Sequence, residues 1–131
     1  MTTEPAVRLS SLLQIAVRVR NVDRAVAFYR DVLGLPFLFQ AGNLAFFDLD
    51  GVRLLLDIPE DAGGEFDHAG SILYFRVPDV PAAHASLKAR GVEFVSDPHI
   101  VHRDDRHELW MAFFRDGEDN VHALSEERPL A

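Results

Sequence analysis

The sequence predicts an α+β protein made of two tandem βαβββ modules. The segment at residues 15–22 recurs at residues 73–80, an offset of 58 positions within a chain of 131 residues. Each copy has an alternating apolar pattern, typical of a strand, followed by an apolar stripe of helical period. Three strand-like segments follow the first helical stripe and four follow the second. Because both halves share this order of elements, we interpret the chain as a duplicated unit.

Composition narrows the class of protein. A chain of 131 residues with 48% hydrophobic residues is large enough to bury one core. It has no apolar run near the ~20 residues that a membrane span needs and no export signal at its start, so we expect a cytoplasmic protein without membrane contact. The absence of cysteine excludes disulfides, thiolate metal sites and thiol nucleophiles. A formal net charge of −8 without a basic run excludes nucleic acid as a partner.

The first module is predicted over residues 10–59. Its opening strand, residues 15–19, carries β-branched residues at alternate positions. Asn21 then stands where a helix N-cap is needed, and apolar residues at helical spacing predict a helix from residue 22 to residue 33. Gly34 supplies the left-handed stop. Three strands complete the module, at residues 37–39, 44–49 and 52–58.

The second module is predicted over residues 70–127. Its opening strand at residues 73–77 leads to the N-cap residue Asp79 and to a helix from residue 80 to residue 90. Proline at position 81 falls in the first helical turn, where the missing amide proton costs nothing. Four strand-like segments follow, at residues 94–95, 99–102, 109–114 and 121–125.

A glycine-rich, acidic segment at residues 60–69 separates the modules and is predicted as a linker. A unit of ~55 residues buries too little apolar area to be secure alone. We therefore expect the two modules to share a core or to pair their sheets.

A longer motif then points to a known family. The pairs Phe28-Tyr29 and Leu33-Gly34 at the end of the first helix, the second copy behind them, and the segment from Phe113 to Asn120 resemble the vicinal oxygen chelate superfamily. These are the glyoxalase, bleomycin-resistance and dioxygenase-like proteins, and the resemblance covers residues 12–127. It implies that the sheets form an incomplete barrel around a cavity, often completed by dimerisation, so we expect a homodimer. It also implies a divalent metal held by the first and last strand of each module.

The four metal-ligand positions implied by the resemblance carry the wrong side chains. They fall on Gln14, Leu55, Ile72 and Ala123, where relatives have imidazoles and carboxylates. Hydrocarbon side chains have no donor atom, and a neutral amide binds divalent metals weakly. We therefore expect no metal and no other cofactor. His122, beside Ala123, is a lone histidine, which is more often a surface residue or a satisfied core residue than a ligand.

Residues that share the strand parity of the lost ligands should line the cavity. An aromatic stacking wall is added from Trp110 with Phe113 or Phe47. Charged residues at the strand ends, such as Arg18 and Asp57, are interpreted mainly as solvated ion pairs. The predicted lining is Gln14, Ala16, Phe47, Leu55, Ile72, Tyr74, Trp110, Val121 and Ala123.

Residues 99–111 contain three of the six histidines and are predicted as a hairpin. His102 and His107 would approach each other across its turn, so an acid/base pair with Glu108 or a weak metal site is one interpretation. A polar hairpin tip over the cavity mouth is the simpler one. Tyr74 offers a further phenol on the cavity side.

The leading hypothesis is a metal-free protein that binds a small organic molecule in its cavity, of antibiotic-sequestering or glyoxalase-like type. The ligand is expected to be cationic or aromatic, since the chain is acidic. Whether the protein is an enzyme stays open. The alternative is a metal-independent isomerase, lyase or cyclase with Tyr74, Gln14, His102, His107 or Glu108 as acid/base groups. A third hypothesis is a metal-dependent lyase or dioxygenase with relocated ligands.

Overall fold

The computed structural model describes residues 7–130. Within these residues the chain forms two four-stranded sheets, each with one helix packed on it. The first module contains β1 (Gln14–Arg18), α1 (Val22–Val26, continued by a π-helical segment, Ala27–Val32), β2 (Phe37–Ala41), β3 (Leu44–Leu49) and β4 (Val52–Asp57). The second contains β5 (Tyr74–Arg76), α2 (Val80–Ala89), β6 (His99–Arg103), β7 (His107–Arg115) and β8 (Val121–Pro129).

Both sheets have the same topology. The strand orders are β1-β4-β3-β2 and β5-β8-β7-β6, and in each sheet the first strand runs parallel to the last while the other pairs are antiparallel. Ala16 lies opposite Leu55 in the first sheet, and Tyr74 lies opposite Ala123 in the second. The predicted fold class is therefore confirmed, and the sheets are not closed into a barrel.

Some predicted bounds need correction. The segment predicted as a strand at residues 94–95 makes only one isolated bridge, between Phe94 and Phe114. The last strand continues to Pro129, beyond the predicted end at residue 125, because β7 is also longer than predicted and pairs with it along its whole length.

The helix ends follow the sequence signals. Asn21 and Asp79 each accept a hydrogen bond at 3.0 Å from the backbone amide three residues further on, as N-cap residues do. Gly34 and Gly91 end the helical segments with φ angles of 79° and 93°, which only glycine adopts at no steric cost.

A carboxylate from β8 or from the loop before it supports each helix start as well. Glu118 accepts the amide of Arg20 at 2.6 Å, just before α1, and Glu126 accepts the amide of Val80 at 2.9 Å, the first residue of α2. Both carboxylates complement the positive end of the helix dipole. The two cases differ in origin, because Glu118 reaches across from the second module while Glu126 belongs to the module that it caps.

The predicted regular helix of the first module widens in its second half. The amide of Leu33 bonds to the carbonyl of Phe28 at 2.9 Å, five residues back, which is the π-helical spacing. This wider turn lets two adjacent aromatic residues serve different neighbours. Tyr29 is fully buried in the first core, while Phe28 packs against both cores.

The two modules share their cores, as their small size requires. Leu73 and Phe75 from the second module pack against the first core, which lies between α1 and the first sheet. Phe28, Val32 and Leu33 of the first module pack against the second core, which contains the fully buried Phe114. The predicted mutual dependence of the modules is thus built into the apolar packing. In residues 7–130 no helix has the length and apolarity that a bilayer crossing demands.

A chain of buried hydrogen bonds also joins the modules. The Tyr29 hydroxyl donates to Asp116 Oδ2 at 2.6 Å and lies 2.8 Å from His122 Nε2. The amide of Leu73 donates to His122 Nδ1 at 3.2 Å, so the proton of the neutral imidazole must be on Nε2. His122 therefore donates to Tyr29, and Tyr29 donates to the Asp116 carboxylate. We call Tyr29, Asp116 and His122 the junction network.

Replacing Tyr29 by Phe tests the junction network. The variant keeps the buried ring but leaves the Asp116 carboxylate and the His122 N–H each without one partner, which should lower the free energy of unfolding by about 2 kcal/mol. Urea denaturation measures this loss. Tyr74→Phe is the matched control, because the Tyr74 side chain is half exposed and the same deletion there should cost less than ~0.5 kcal/mol. Equal effects of the two changes would contradict this account.

His122 also predicts a pH dependence. Burial lowers the pKa of His122 below the usual 6.5, and the charge of Asp116 opposes this effect. The folded protein therefore binds this proton less tightly than the unfolded chain, so the free energy of unfolding falls as the pH drops from about 6.5 toward the folded pKa. Each proton accounts for at most ~1.4 kcal/mol per pH unit.

Denaturation curves between about pH 7.5 and about pH 5.5 measure this slope. His122→Gln should flatten it, whereas His107→Gln, at an exposed position of the hairpin, should leave it as in the wild type. If the His122 variant kept the full slope, another group would be responsible.

Candidate ligand-binding site

Strand alternation gives each sheet a core face and an open face. In the first sheet Leu54 and Leu56 of β4 are fully buried under α1, while Leu55 between them is only partly buried and shares the other face with Ala16 of β1. In the second sheet Tyr74, at the corresponding position, is 54% exposed. The parity argument thus assigns the open faces of β1, β4 and β5 correctly.

Two residues of the predicted lining lie on the core faces instead. Phe47 is fully buried, stands opposite Leu54 and packs against Tyr29. Trp110 packs against the second core and stands opposite Glu126. These two placements correct the predicted stacking wall.

The aromatic residues on the open faces are instead Phe46 of β3 and Phe113 of β7. Phe46 stands opposite Leu55, and Phe113 stands opposite Ala123. The signal was in the sequence, because the turn at Asp50 and Gly51 sets the two strands in a register that puts residue 46, and not 47, beside residue 55. The register of β7 against β8 likewise places residue 113, and not residue 110, beside Ala123.

A large hollow lies over the open face of the first sheet. It has a volume of about 600 Å³, and its apolar floor is made by Leu44 and Leu55. Phe66, from the segment predicted as a linker, forms a wall and is 80% exposed. A smaller hollow of about 110 Å³ adjoins it, because the two share Asp57, Pro59 and Phe66. We call the larger hollow the acidic cleft.

Four carboxylates line the acidic cleft: Asp57, Glu60, Asp61 and Glu65. Burial raises the pKa of Asp57 above its usual value, and the nearby negative charge of Glu60 raises it further. No ion pair reaches any of the four carboxylates within residues 7–130. The cleft therefore combines an apolar floor with negative charge that the protein itself does not neutralise.

Two basic side chains at the end of β1 are engaged with another carboxylate, Asp67. Arg18 and Arg20 contact Asp67 at 3.3 Å and 3.0 Å, and the pKa of Asp67 is lowered by a backbone hydrogen bond from Gly63 and by these arginines. Arg18 thus forms an ion pair as predicted, but the pair is largely buried and not solvated, because its side chains are only 14% and 5% exposed. For Asp57 the structure shows an unpaired carboxylate in the cleft.

The open face of the second sheet carries a smaller hollow of about 230 Å³. Tyr74, Met111 and Ser125 line it, and the Tyr74 ring meets the edge of Phe113 at a centroid distance of 6.2 Å. The hydroxyl of Ser125 is buried without a hydrogen-bond partner in the described part of the chain. This face therefore combines a phenol and a buried hydroxyl with two apolar residues, Leu109 and Met111, and three charged ones, Arg76, Glu126 and Glu127.

The predicted acid/base candidates do not form one site. Glu108 points to the core face, where it is bound by Arg103 and by the indole N–H of Trp110 at 3.3 Å. The bond from Arg103 is the main reason that the pKa of Glu108 lies below its usual value, so this carboxylate is ionised and already paired. His102 is exposed and lies 3.7 Å from Asp104.

The remaining candidates, Tyr74 and His107, lie in different parts of the second module. Tyr74 faces the second-sheet hollow, while His107 is exposed at the start of β7. The hairpin is formed as predicted, with Arg103 opposite Glu108. Its geometry fits a polar surface element better than an acid/base pair.

The residues at the implied metal positions do not fit a divalent cation. Gln14, Leu55, Ile72 and Ala123 offer one amide among them, and Ala123 is fully buried between its neighbours. No group of three or more His, Asp or Glu side chains in residues 7–130 is arranged to hold an ion. His122, beside Ala123, is committed to the junction network on both ring nitrogens.

The remaining predicted lining residues sit at the margin of the open faces. Gln14 and Ile72 are exposed, with Ile72 at 44%, and Val121 is partly buried at the start of β8. No single hollow in the described residues contains side chains from both halves of the predicted lining.

Known proteins resemble this chain along most of its length. The family model described as the Glyoxalase/Bleomycin resistance protein/Dioxygenase superfamily matches residues 11–116. The uncharacterized protein YraH of Bacillus subtilis (strain 168) is 31% identical over 125 residues, which cover 84% of this chain and 93% of that protein. The metallothiol transferase FosB of Lysinibacillus sphaericus (strain C3-41) is 28% identical over 53 residues, which cover 40% of this chain and 38% of the transferase.

Solved structures that resemble this chain include proteins of the same family. A lactoylglutathione lyase from Agrobacterium tumefaciens matches 89% of this chain and 93% of its own with a TM-score of 0.67 and 26% identity. A glyoxalase/bleomycin resistance protein/dioxygenase from Nocardioides matches 94% of this chain and 87% of its own with a TM-score of 0.73, and at 18% identity it shows the fold alone. Because the family model covers most of the chain, the protein belongs to the glyoxalase/bleomycin resistance protein/dioxygenase superfamily, the vicinal oxygen chelate group.

Proposed function

We propose that this protein binds a small organic cation with an apolar or aromatic body in the acidic cleft, and that it does so without a divalent metal. One observation carries the proposal: an apolar floor of Leu44 and Leu55 adjoins four carboxylates, none of which has an ion-pair partner among residues 7–130. A volume of about 600 Å³ is within the range of sites that hold drug-sized molecules.

The physical argument combines burial with charge. The floor favours an apolar ligand because each buried CH₂ contributes ~0.8 kcal/mol. Asp57 and Glu60 repel each other, as the raised pKa of Asp57 reflects, and a ligand cation would relieve that repulsion. Phe66 presents an exposed ring at the edge of the cleft, suited to a cation–π contact. The net charge of −8 adds long-range attraction for a cation.

Capture is favoured over turnover by the chemistry of the side chains. The lyase and the transferase that resemble this chain carry activities in their names, but those activities do not follow for a chain with one amide and three hydrocarbon side chains at the implied ligand positions. The lining of the acidic cleft contains no histidine, lysine or tyrosine that could serve as a general acid beside the carboxylates. The homodimer and the cytoplasmic location expected from the sequence stay predictions.

A thermal-shift series with benzyltrimethylammonium, benzyl alcohol and benzoate tests the proposal, because the three probes share a ring and differ in charge. We expect the cation to stabilise the protein most, by about 2.7 kcal/mol when its concentration is 100 times Kd. Added salt should weaken this effect, since exposed charges are screened. Equal shifts for all three probes would contradict the proposed charge selection, and no shift for any aromatic cation would contradict the binding function.

Substitutions locate the site. Asp57→Asn should weaken binding of benzyltrimethylammonium about tenfold, because the most enclosed carboxylate is lost, and calorimetric titration measures the change. Asp105→Asn is the matched control: it removes the same charge from the exposed hairpin turn and should alter Kd by less than about twofold. If both variants weakened binding alike, net charge rather than the acidic cleft would be responsible. Turnover of the probe class by the metal-stripped protein would favour the alternative, a metal-independent enzyme.

A further inference from the structure

We propose that the ligand of the acidic cleft is a zwitterion, and that its anionic group binds Arg53 at the other end of the same sheet face. This inference rests on the proposed function and adds the chemical class of the ligand: a cation and a carboxylate joined by an apolar or aromatic body. Three features of the open face of the first sheet support it. They are an arginine without a partner, an aromatic platform beside it, and its alignment with Asp57 on one strand.

Arg53 is a cation that the protein itself leaves unpaired. Its Nε is buried without a hydrogen-bond partner, and no ion pair or hydrogen bond reaches its guanidinium within residues 7–130. Asp48 stands directly opposite on β3, but its carboxylate accepts the backbone amide of Gly51 at 3.0 Å instead. A guanidinium that is partly shielded from water attracts an anion more strongly than one in bulk solvent. Arg53 is therefore available to a carboxylate from outside the chain.

An aromatic platform holds the guanidinium on the open face. The guanidinium carbon of Arg53 lies 5.7 Å from the centroid of the Phe46 ring, in a cation–π contact. The ring of Phe39 stacks on that of Phe46 at a centroid distance of 4.5 Å and is 49% exposed. Gln14, the β1 neighbour of Arg53, is exposed, and its carboxamide offers a further donor. We call Gln14 and Arg53 the arginine end of the first sheet.

The arginine end and the acidic cleft lie on one line along β4. Arg53, Leu55 and Asp57 alternate with fully buried leucines and so point to the same face. The rise of a strand places Arg53 and Asp57 about 13 Å apart, with Leu55, part of the cleft floor, between them. Phe46 stands opposite Leu55. A ligand whose apolar body lies on Leu55 and Phe46 can therefore carry a cation at one end and an anion at the other.

The charge of the protein decides between a simple anion and a zwitterion. A simple anion at Arg53 would be repelled by the carboxylates of the cleft and by the net charge of −8. A simple cation would occupy the cleft and leave Arg53 unpaired. A zwitterion satisfies both ends, because its cation neutralises the cleft while its carboxylate pairs with the guanidinium.

Derivatives of benzyltrimethylammonium that differ in the para substituent test this inference. One carries a propanoate, the second carries the uncharged propanamide, and the third is unsubstituted. Calorimetric titration should give the propanoate derivative a Kd about tenfold below that of the propanamide derivative, as expected for a hydrogen-bonded guanidinium–carboxylate pair. A derivative with the carboxylate directly on the ring cannot span the two ends and should bind no better than its amide.

Two arginine variants locate the anion site. Arg53→Gln should reduce the advantage of propanoate over propanamide to less than about twofold, because the paired cation is lost. Arg115→Gln is the matched control: it removes the same charge from an exposed position on the second sheet and should keep the full advantage. If the Arg53→Gln protein failed to fold, NMR contacts between the propanoate methylenes and the Phe46 ring in the wild type would decide instead.

The failure of this inference and the failure of the proposed function give different results. If the unsubstituted cation binds but the propanoate and propanamide derivatives bind alike, the anion site is wrong and the cation site stands. An advantage that survives Arg53→Gln, or propanoate contacts away from Phe46, would overturn the inference in the same way. If no derivative binds at all, the proposed function fails and this inference fails with it.

Discussion

The relative placement of the two modules depends on one buried hydroxyl. The Tyr29 hydroxyl accepts a hydrogen bond from His122 and donates one to Asp116, so a residue of the first module is bound in a defined direction by two residues of the second. The bond from the Leu73 amide leaves no room for a proton on the other imidazole nitrogen. The acidic cleft lies on the open face of the first sheet, away from this buried junction.

Element order, helix caps and strand parity were predictable from the sequence because they depend on neighbours within a few residues. Asn21 and Asp79 cap their helices wherever the rest of the chain lies. The hydrogen bond that Tyr29 makes from the widened part of α1 was not predictable in this way, since its partner lies 87 residues away. Phe47 and Trp110 were placed on the wrong face for a different reason: the interpretation relied on residue type and omitted the register that the parity rule supplies.

The candidate site was only partly predictable for a related reason. Leu55 and Ala16 were placed by alternation, which is a local rule. The acidic segment after β4 was interpreted from composition as a linker, and composition does not determine whether a loop stands away from a sheet or lies over it. In the structure Glu60, Asp61 and Phe66 lie against the first sheet and form the wall of the cleft. Glu108 shows the reverse case, since a residue predicted as reactive is held by Arg103 and a tryptophan indole.

The carboxylates that support the two helix starts come from different positions, and this difference shows how the duplicated modules have diverged. In a symmetric pair of identical modules, both helices would be capped by the same residue from the same direction. Here Glu126 caps the helix of its own module, while Glu118 crosses over to cap the other helix. This asymmetric capping is possible only when two modules of different sequence are joined in one chain. The C-terminal repeat has thereby become the scaffold on which the N-terminal repeat completes its first helix.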